Sequence, residues 1–403
     1  MIDFPYLNEI RRTTDSKIVM TVLDGLGGMV HPKYGVSELE SANTPNLDKL
    51  AGISSCGVTT PVIPGITPGS GPGHMGLFGY DPVKYLLGRG VLEGLGAGIK
   101  IGPNHVAARG NFCVIENDVV ADRRAGRIST NQASQLIEKL KTIQVDGFNI
   151  RVYPVIDYRF VLVFEGVDVS EEVSGTDPQV TGVPVSRSEP RNATAFKMAN
   201  AVNEFSKSAV LELSESELPA NGILLRGFSS VPNLPDFGLN YGLTPAAIAA
   251  YPMYKGIAQL LGMDVLACEE NFDSEIEVLR DSITNNRPYD FYFLHYKSAD
   301  SAGEDGDFEA KVSALEYFDT KLPNILDIEP DVLVICGDHA TPSYLASHSW
   351  HPVPFLIKSS LSQGYSEGFN EKNCRSGSIG SIVAKELMML VLAHSGKLNK
   401  FGP

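Results

Sequence analysis

The chain has 403 residues, of which 43% are hydrophobic and 20% are charged, and its formal net charge is -15. This length predicts two domains, and the acidic balance argues against general nucleic-acid binding, which needs a basic face. No apolar run reaches the roughly 18 residues that a membrane span needs, and the N-terminal segment lacks the apolar core of a signal peptide. Scattered cysteines without a Cys-x-x-Cys pair indicate reduced thiols, so we expect a cytoplasmic protein.

Four apolar runs predict strands that are buried on both faces of a mostly parallel sheet. They occupy residues 17–23, 291–294, 332–336 and, interrupted by a proline that weakens the prediction, 353–357. Asp24, Asp300 and Asp338 follow the first three runs. Ligands of open α/β sheets bind beyond the carboxyl ends of the strands, so these three aspartates are expected to converge there.

Helices are predicted between the strands. Thr44 followed by Pro45 is typical of a helix N-terminus. Residues 308–322 carry apolar side chains at helical spacing, and residues 378–394 predict a further helix. The two ends of the chain therefore form one α/β domain in this interpretation.

The middle of the chain has a different pattern. Its strand signals are shorter and more polar, turn residues are frequent, and arginines are concentrated there. We predict a catalytic α/β domain of residues 1–90 and 240–403, and a smaller inserted α+β domain of residues 91–239.

Ser70 lies in a glycine-rich turn that runs from Pro64 to His74. Glycines allow close backbone approach, and a helix that follows would point its N–H groups at an anion, although a flexible surface turn is the ordinary alternative. Residues 71–76 match GxGxxG only formally, because a proline-rich turn precedes them instead of a strand. Pro68 also replaces the first glycine of a GxSxG elbow. Serine needs a base or a metal to become a nucleophile, and a metal is the better candidate here.

Carboxylates and imidazoles at the predicted strand ends indicate a metal centre. Asp24, Asp300 and Asp338 could each merely cap a helix, and His339 or His348 could be a core histidine. Several aspartates in one cleft would repel one another unless cations neutralised them. Together with Ser70 the set predicts a two-metal site built around a serine nucleophile, which suits phosphoryl transfer. Mixed oxygen and nitrogen ligands favour manganese or zinc, with magnesium possible.

The arginines of the middle region are ordinarily solvated surface charges. Arg123, Arg124 and Arg127 form the densest group. Guanidinium groups bind phosphate and carboxylate bidentately, so two or three of these arginines could hold a small phosphorylated acid.

Motifs along nearly the whole chain resemble the archaeal-type, 2,3-bisphosphoglycerate-independent phosphoglycerate mutases of the alkaline phosphatase superfamily. They are TPGS with a histidine four residues later (67–74), FGYDP (78–82), DRRAGRI (122–128), LLRG (224–227), YKGIA (254–258) and GDH (337–339). The resemblance implies an alkaline-phosphatase-like sandwich with a central, mostly parallel sheet flanked by helices, plus the inserted domain.

The resemblance also implies the chemistry. Ser70 would take the phosphoryl group of 3-phosphoglycerate and return it to the 2-hydroxyl, in glycolysis and gluconeogenesis, without 2,3-bisphosphoglycerate. Two divalent ions are implied, with manganese favoured over magnesium, zinc or cobalt. One ion would be held by Asp24, Ser70, Asp338 and His339, and the other by Asp300, the residue four positions later and His348. Substrate would be bound by Arg109, Arg123, Arg124, Arg159, Arg226 and Lys255.

One position departs from the family pattern. The family carries histidine four residues after the aspartate of the second metal site, whereas this chain has Glu304. A carboxylate can still bind a metal, but it makes the site harder and favours manganese or magnesium over zinc. His351 is an alternative ligand.

Because Glu304 departs from the family pattern, two other functions are also compatible with the sequence. One is a metal-dependent phosphomonoester hydrolase of the same superfamily. The other is a non-catalytic relative with a degraded second metal site. In the mutase interpretation the inserted domain excludes water from the phosphoserine while glycerate reorients.

Overall fold

The computed structural model describes all residues except 103, 215 and 403. The chain divides into two compact units, Met1–Leu86 with Leu234–Pro403, and Leu87–Asn233. The sequence-based boundaries lie a few residues later, at 90 against 86 and at 239 against 233. No helix of the described residues is long and apolar enough to cross a membrane.

The strands are β1 (Ile18–Leu23), β2 (Ser55–Thr60), β3 (His105–Glu116), β4 (Val119–Asp122), β5 (Asn149–Pro154), β6 (Arg159–Glu165), β7 (Gly222–Ser230), β8 (Pro245–Ile248), β9 (Asp264–Val265), β10 (Phe291–Tyr296), β11 (Val332–Cys336), β12 (Val353–Lys358) and β13 (Gly380–Val383).

The α-helices are α1 (Leu7–Ile10), α2 (Glu38–Ser41), α3 (Pro45–Ala51), α4 (Ser70–Leu77), α5 (Arg89–Gly96), α6 (Thr130–Leu140), α7 (Phe196–Leu213), α8 (Phe237–Tyr241), α9 (Pro252–Leu260), α10 (Phe272–Thr284), α11 (Ser298–Glu304), α12 (Phe308–Leu326), α13 (Glu371–Arg375) and α14 (Leu387–His394). Short 3-10 turns occupy Ala125–Arg127, Ala193–Ala195 and Ala384–Glu386.

The first unit is built on one sheet that, in the described residues, has eight strands in the order β13-β2-β12-β11-β1-β10-β8-β9. Strands β8, β10, β1 and β11 are parallel to one another, whereas β12 is antiparallel to both β11 and β2. Strands β1, β10 and β11 are buried along their whole length. The four predicted strands and the mostly parallel α/β architecture are confirmed. Pro354 lies opposite Val58 of β2 but outside the register with β11, which covers only Leu356–Lys358, so the proline costs no hydrogen bond between β12 and β11.

Helices pack on this sheet through a continuous apolar core. Helix α12 contributes Phe308, Val312, Leu315, Phe318 and Leu322, and all five side chains are buried as their helical spacing predicts. Helix α3 begins at Pro45 after Thr44, again as predicted.

The helix predicted at residues 378–394 is wrong in its first half. Gly380–Val383 form strand β13, which pairs in parallel with β2, and α14 begins only at Leu387. Gly380 has a φ of +75°, which lies outside helical conformation, and pairing with β2 supplies the backbone hydrogen bonds that a helix would otherwise make.

The second unit is an antiparallel sheet with helices on both faces. Strand β3 lies between β6 and β7, β5 pairs with β6, and β4 pairs with the end of β3. Helices α6 and α7 bury apolar side chains against one face, next to Phe112, Phe160 and Phe164. Val91 of α5 packs on the other face, against Ala107 and Val161.

Candidate active site

Three adjacent parallel strands of the first unit end side by side. Leu23 at the end of β1 pairs with Tyr296 at the end of β10, and Val22 pairs with Cys336 at the end of β11. Asp24 follows β1 directly, and its backbone N–H donates to the Tyr296 carbonyl at 2.9 Å. Asp300 on α11 and the pair Asp338-His339 follow the two flanking strands. The convergence predicted from strand ends is therefore present.

The first cluster of possible ligands consists of Asp24, Asp338 and His339, all fully buried. The Nε2 atom of His339 lies 3.3 Å from Asp24 Oδ1, 3.1 Å from Asp338 Oδ2 and 3.2 Å from Ser70 Oγ. Of the four residues predicted for one metal, the structure brings all four together.

Two buried oxygens in this cluster suit a cation. Asp24 Oδ1 and Asp338 Oδ2 accept no hydrogen bond from any described residue. Burial lowers the pKa of His339, so its imidazole is neutral at pH 7 and can offer a nitrogen lone pair. A buried carboxylate oxygen without a donor is costly, and a divalent cation would satisfy both oxygens at once. The residues present fit such an ion.

Ser70 reaches this cluster because it is the first residue of α4. Gly69 precedes it in extended conformation, and the Ser70 carbonyl lies 2.9 Å from His74 Nδ1. A side chain at Gly73 would collide with the Asp338 carbonyl, so glycine there allows α4 to approach the loop after β11. The glycine-rich turn thus places the Ser70 hydroxyl, at a helix N-terminus, beside three side chains that could bind a metal.

The second cluster consists of Asp300, His339 and His348. The His348 Nε2 atom lies 3.6 Å from Asp300 Oδ1 and 3.4 Å from Glu304 Oε1, and the His348 ring stacks on His339 at 3.7 Å. Burial alone would lower the pKa of His348, but the Glu304 carboxylate and the Pro68 carbonyl raise it to about 9. Glu304 therefore contacts a second-cluster residue, although its side chain is 53% exposed.

His351 lies outside both clusters. Its Nδ1 atom is 2.9 Å from Ser349 Oγ, and its ring stacks on Trp350. The structure therefore gives no support to His351 as a replacement ligand.

Two residues that sequence reasoning missed touch Asp24. The Tyr254 hydroxyl donates to Asp24 Oδ2, and the Lys297 ammonium lies 3.0 Å from the same oxygen. Lys297 also donates to Asp300 Oδ2, so it bridges the carboxylates of the two clusters. Burial would lower the pKa of Lys297, but Asp24 and Asp300 raise it, so the ammonium stays charged. The only sequence signals were the positions of Lys297 three residues before Asp300 and of Tyr254 in the YKGIA motif.

Two further histidines lie behind the first cluster. His74 Nδ1 is 3.2 Å from Asp338 Oδ2, and His295 Nε2 is 3.4 Å from Asp24 Oδ2. The His295 ring stacks on Tyr254 at 3.6 Å. Burial lowers the pKa of His295 to about 4, so it is neutral at pH 7 and adds no positive charge.

Lys255, predicted to bind substrate, makes no hydrogen bond with the ligand clusters in the described part of the chain. Its positive charge lies near Glu275 and Cys268 instead, where it opposes the rise in pKa that burial causes in both groups. Tyr254, one residue earlier, is the member of this motif that contacts Asp24.

In the second unit, Arg109, Arg159 and Arg226 share one face of the sheet. Arg109 on β3 lies opposite Arg226 on β7, and Asn111 on β3 lies opposite Arg159 on β6. Burial lowers the pKa of Arg109, and the like charges of Arg159 and Arg226 act in the same direction. Glu93 of α5, 3.4 Å from Arg109 Nε, is a nearby counter-charge. Cations held together against their repulsion are typical of an anion site.

The other two predicted arginines differ from each other. Arg123 forms a bidentate pair with Asp177, at 3.0 and 2.7 Å, and Arg226 Nε lies 3.7 Å from the same carboxylate. Arg123 is thereby linked to the three-arginine face. Arg124 is exposed, and its hydrogen bonds among the described residues come from the backbone: its N–H donates to Asp122 and its carbonyl accepts from Arg127.

Comparison with known proteins identifies the family. The family model for 2,3-bisphosphoglycerate-independent phosphoglycerate mutase matches residues 51–218. A probable 2,3-bisphosphoglycerate-independent phosphoglycerate mutase of Thermotoga maritima is 44% identical over 400 residues, which are 98% of each chain. One from Thermus thermophilus is 45% identical over 403 residues, which are 99% of each chain.

The chain belongs to the 2,3-bisphosphoglycerate-independent phosphoglycerate mutase family. The resemblance inferred from the motifs and the predicted enzyme class, an isomerase that transfers a phosphoryl group, are confirmed.

Solved structures share the fold of this mutase. A Pyrococcus horikoshii protein superimposes with a TM-score of 0.82 at 28% identity and covers 97% of this chain and 100% of its own. The cofactor-independent phosphoglycerate mutase of Thermoplasma acidophilum gives 0.72 at 27% identity, covering 94% and 100%.

Proposed function

We propose that this mutase interconverts 3-phosphoglycerate and 2-phosphoglycerate in glycolysis and gluconeogenesis through a phosphoserine at Ser70, and that it acts in the cytoplasm. The observation that carries the proposal is the placement of the Ser70 hydroxyl, 3.2 Å from His339 Nε2 and beside two buried carboxylate oxygens without donors. A serine at a helix N-terminus beside such a donor set is suited to attack on phosphorus.

Two divalent cations are part of the proposal. Asp24, Asp338 and His339 would hold one together with Ser70, and Asp300, His348 and Glu304 would hold the other. Glu304 makes the second site richer in oxygen, which favours manganese or magnesium over zinc. When bound, the ions neutralise the transferring phosphoryl group and lower the pKa of the serine hydroxyl.

The phosphoryl transfer itself is assigned to Ser70, with Lys297 as a neighbouring positive charge. Ser70 Oγ loses its proton and forms a bond to phosphorus, while the bond from phosphorus to the 3-oxygen of glycerate breaks and that oxygen takes up a proton. In the second transfer, the 2-hydroxyl of glycerate loses its proton and its oxygen forms a bond to phosphorus, while the bond from phosphorus to Ser70 Oγ breaks and Oγ takes up a proton. Lys297, fixed by Asp24 and Asp300, keeps a positive charge beside the reacting groups.

Substrate retention is assigned to the arginine face of the second unit. Arg109, Arg159 and Arg226 would bind the carboxylate and phosphate of the glycerate, because guanidinium groups match both anions bidentately. A mutase must hold glycerate between the two transfers, whereas a hydrolase has no such requirement. The three arginines sharing one sheet face therefore favour the mutase over the hydrolase.

The test is incubation of the purified protein with 3-phosphoglycerate and manganese. One portion is coupled to enolase and another is assayed for free phosphate. We expect phosphoenolpyruvate without phosphate release. Phosphate as the main product would establish a hydrolase. If the manganese-loaded protein forms neither product, catalysis on this substrate is refuted.

A serine variant tests the nucleophile. Ser70→Ala should lose turnover while keeping its circular dichroism spectrum, and acid-quenched wild-type enzyme should carry one phosphoryl group that the variant lacks. Ser301→Ala, an exposed serine on α11, is the matched control and should retain both properties. An active, folded Ser70→Ala protein would exclude the phosphoserine.

A further inference from the structure

One buried hydroxyl links the two ligand clusters. Thr341 is fully buried, and its Oγ1 atom donates to Asp300 Oδ1 at 2.7 Å. The same oxygen lies 3.0 Å from His339 Nδ1. Asp300 belongs to the second cluster, and His339 contributes to both.

The hydrogens available on these atoms determine which atom donates in each of the two hydrogen bonds. A hydroxyl has one hydrogen, and an ionised carboxylate can only accept, so Thr341 must give its hydrogen to Asp300. The contact with His339 then requires Nδ1 to carry the hydrogen and donate it. A neutral imidazole with a hydrogen on Nδ1 has a free lone pair on Nε2, which is the atom that faces Asp24, Asp338 and Ser70.

The position of Thr341 is held from several sides. A Cβ at Gly25 would lie 2.7 Å from the Thr341 hydroxyl oxygen, and a side chain at Gly303 would collide with the Thr341 carbonyl. Gly25 also has a φ of +68°, where other residues are strained. Lys311, itself fully buried, donates to the Thr341 carbonyl at 2.8 Å and to the Gly27 carbonyl at 2.9 Å. Lys311 therefore ties the loop after β1 to the loop after β11.

We propose that Thr341 is a positioning residue that fixes the Nδ1–H tautomer of His339 and joins the two clusters into one unit. The threonine hydroxyl makes no contact with the reacting Ser70 and acts through His339 and Asp300. The tautomer follows from the hydrogen bonds alone, whereas the expected effect on cation binding rests on the proposed function. Groups that orient a ligating histidine typically change metal affinity by about 10–100-fold when they are lost.

The first measurement is a long-range proton–nitrogen NMR spectrum of metal-free wild-type protein labelled with 15N-histidine. His339 is assigned by the signals that disappear in His339→Gln. We expect the hydrogen on Nδ1, and a hydrogen on Nε2 in the wild type would overturn the proposal directly. This measurement does not depend on catalysis or on any cation.

Variants then test the hydroxyl itself. Thr341→Val keeps the shape of the side chain and removes the hydroxyl, whereas Thr341→Ser keeps the hydroxyl. Thr341→Val should lose the Nδ1–H tautomer and bind manganese about 10–100-fold more weakly by calorimetry, and Thr341→Ser should resemble wild type. Thr21→Val is the matched control, because Thr21 is equally buried and its hydroxyl has no partner among the described residues.

The outcomes separate the two proposals. Equal tautomers and equal manganese affinities in wild type and Thr341→Val would refute the role of Thr341, and so would a Thr341→Ser protein that behaves like the valine variant. If the valine variant does not fold, Thr341→Ala serves in its place. A wild-type protein that binds no manganese would refute the proposed metal site and leave the NMR result to decide the tautomer.

Discussion

Replacing Lys297 with methionine should destabilise the metal-free protein strongly. The Lys297 ammonium is the nearest positive charge to both Asp24 Oδ2 and Asp300 Oδ2, and these carboxylates are 0% and 1% exposed. Methionine preserves most of the side-chain volume and leaves two buried carboxylates without this partner. Removing one member of a buried ion pair typically costs about 3–5 kcal/mol.

The structure places the expected cost at the lower end of that range. The Lys297 side chain is 27% exposed, so water reaches the vacated space and partly solvates the carboxylates. We expect a loss of about 3 kcal/mol, which corresponds to a fall of roughly 6–12 °C in Tm for a unit of this size. The assay is differential scanning calorimetry in the presence of a chelator.

Added manganese gives the second half of this test. The carboxylates that lose their ammonium in Lys297→Met should gain more from a cation than they do in wild type, so manganese should raise Tm more in the variant. Lys84→Met, which breaks an exposed pair with Asp3, is the control and should leave stability nearly unchanged. A metal-free Lys297→Met protein as stable as the control would refute the reasoning.

Substitutions at three other positions probe the second metal, a buried acid and the arginine face. Glu304→Ala should lose one of two bound metals by elemental analysis while Glu304→His keeps both, and unchanged stoichiometry in the alanine variant would remove Glu304 from the site. Burial raises the pKa of Glu275 from 4.5 to about 8, so the folded state binds a proton that the unfolded state has released, and stability is lost as the pH rises through this interval. Urea unfolding should therefore find Glu275→Gln more stable than wild type by about 1 kcal/mol or more at pH 8 and equal at pH 4; the opposite order would contradict the assignment. Arg109→Met should raise KM for 3-phosphoglycerate about tenfold or more, because it removes a charged hydrogen-bond donor, whereas the exposed Arg187→Met should not.

Much of the sheet was predictable because its central strands are buried on both faces. Continuous apolar runs mark such strands without any knowledge of their neighbours, and β1, β10 and β11 were found this way. The helix wrongly predicted at residues 378–394 reflects the lack of such a continuous apolar run. A short edge strand such as β13, half-buried and only four residues long, leaves too little pattern to be distinguished from a helix.

The ligand candidates were also predictable one by one. Asp24, Asp338 and His339 follow strands, and Ser70 lies in a turn whose glycines permit close approach. Lys297, Tyr254 and Thr341 were not found, because a lysine, a tyrosine or a threonine near a strand end is ordinary in any α/β protein. What makes these three important is which atoms they touch.

By itself, then, the sequence determined which strands form and which residue types stand at their carboxyl ends. A short segment is enough for this, because its own residues set its tendency to be buried and its preferred backbone conformation. Only the tertiary structure decided that Asp24, Asp300 and Asp338 meet, because the parallel register of β1 with β10 and β11 joins segments separated by more than 250 residues. It also decided that His339 stands between two clusters and that one threonine hydroxyl connects them. Hydrogen-bond direction and charge balance depend on distances of about 3 Å between such segments, and no local pattern encodes those distances.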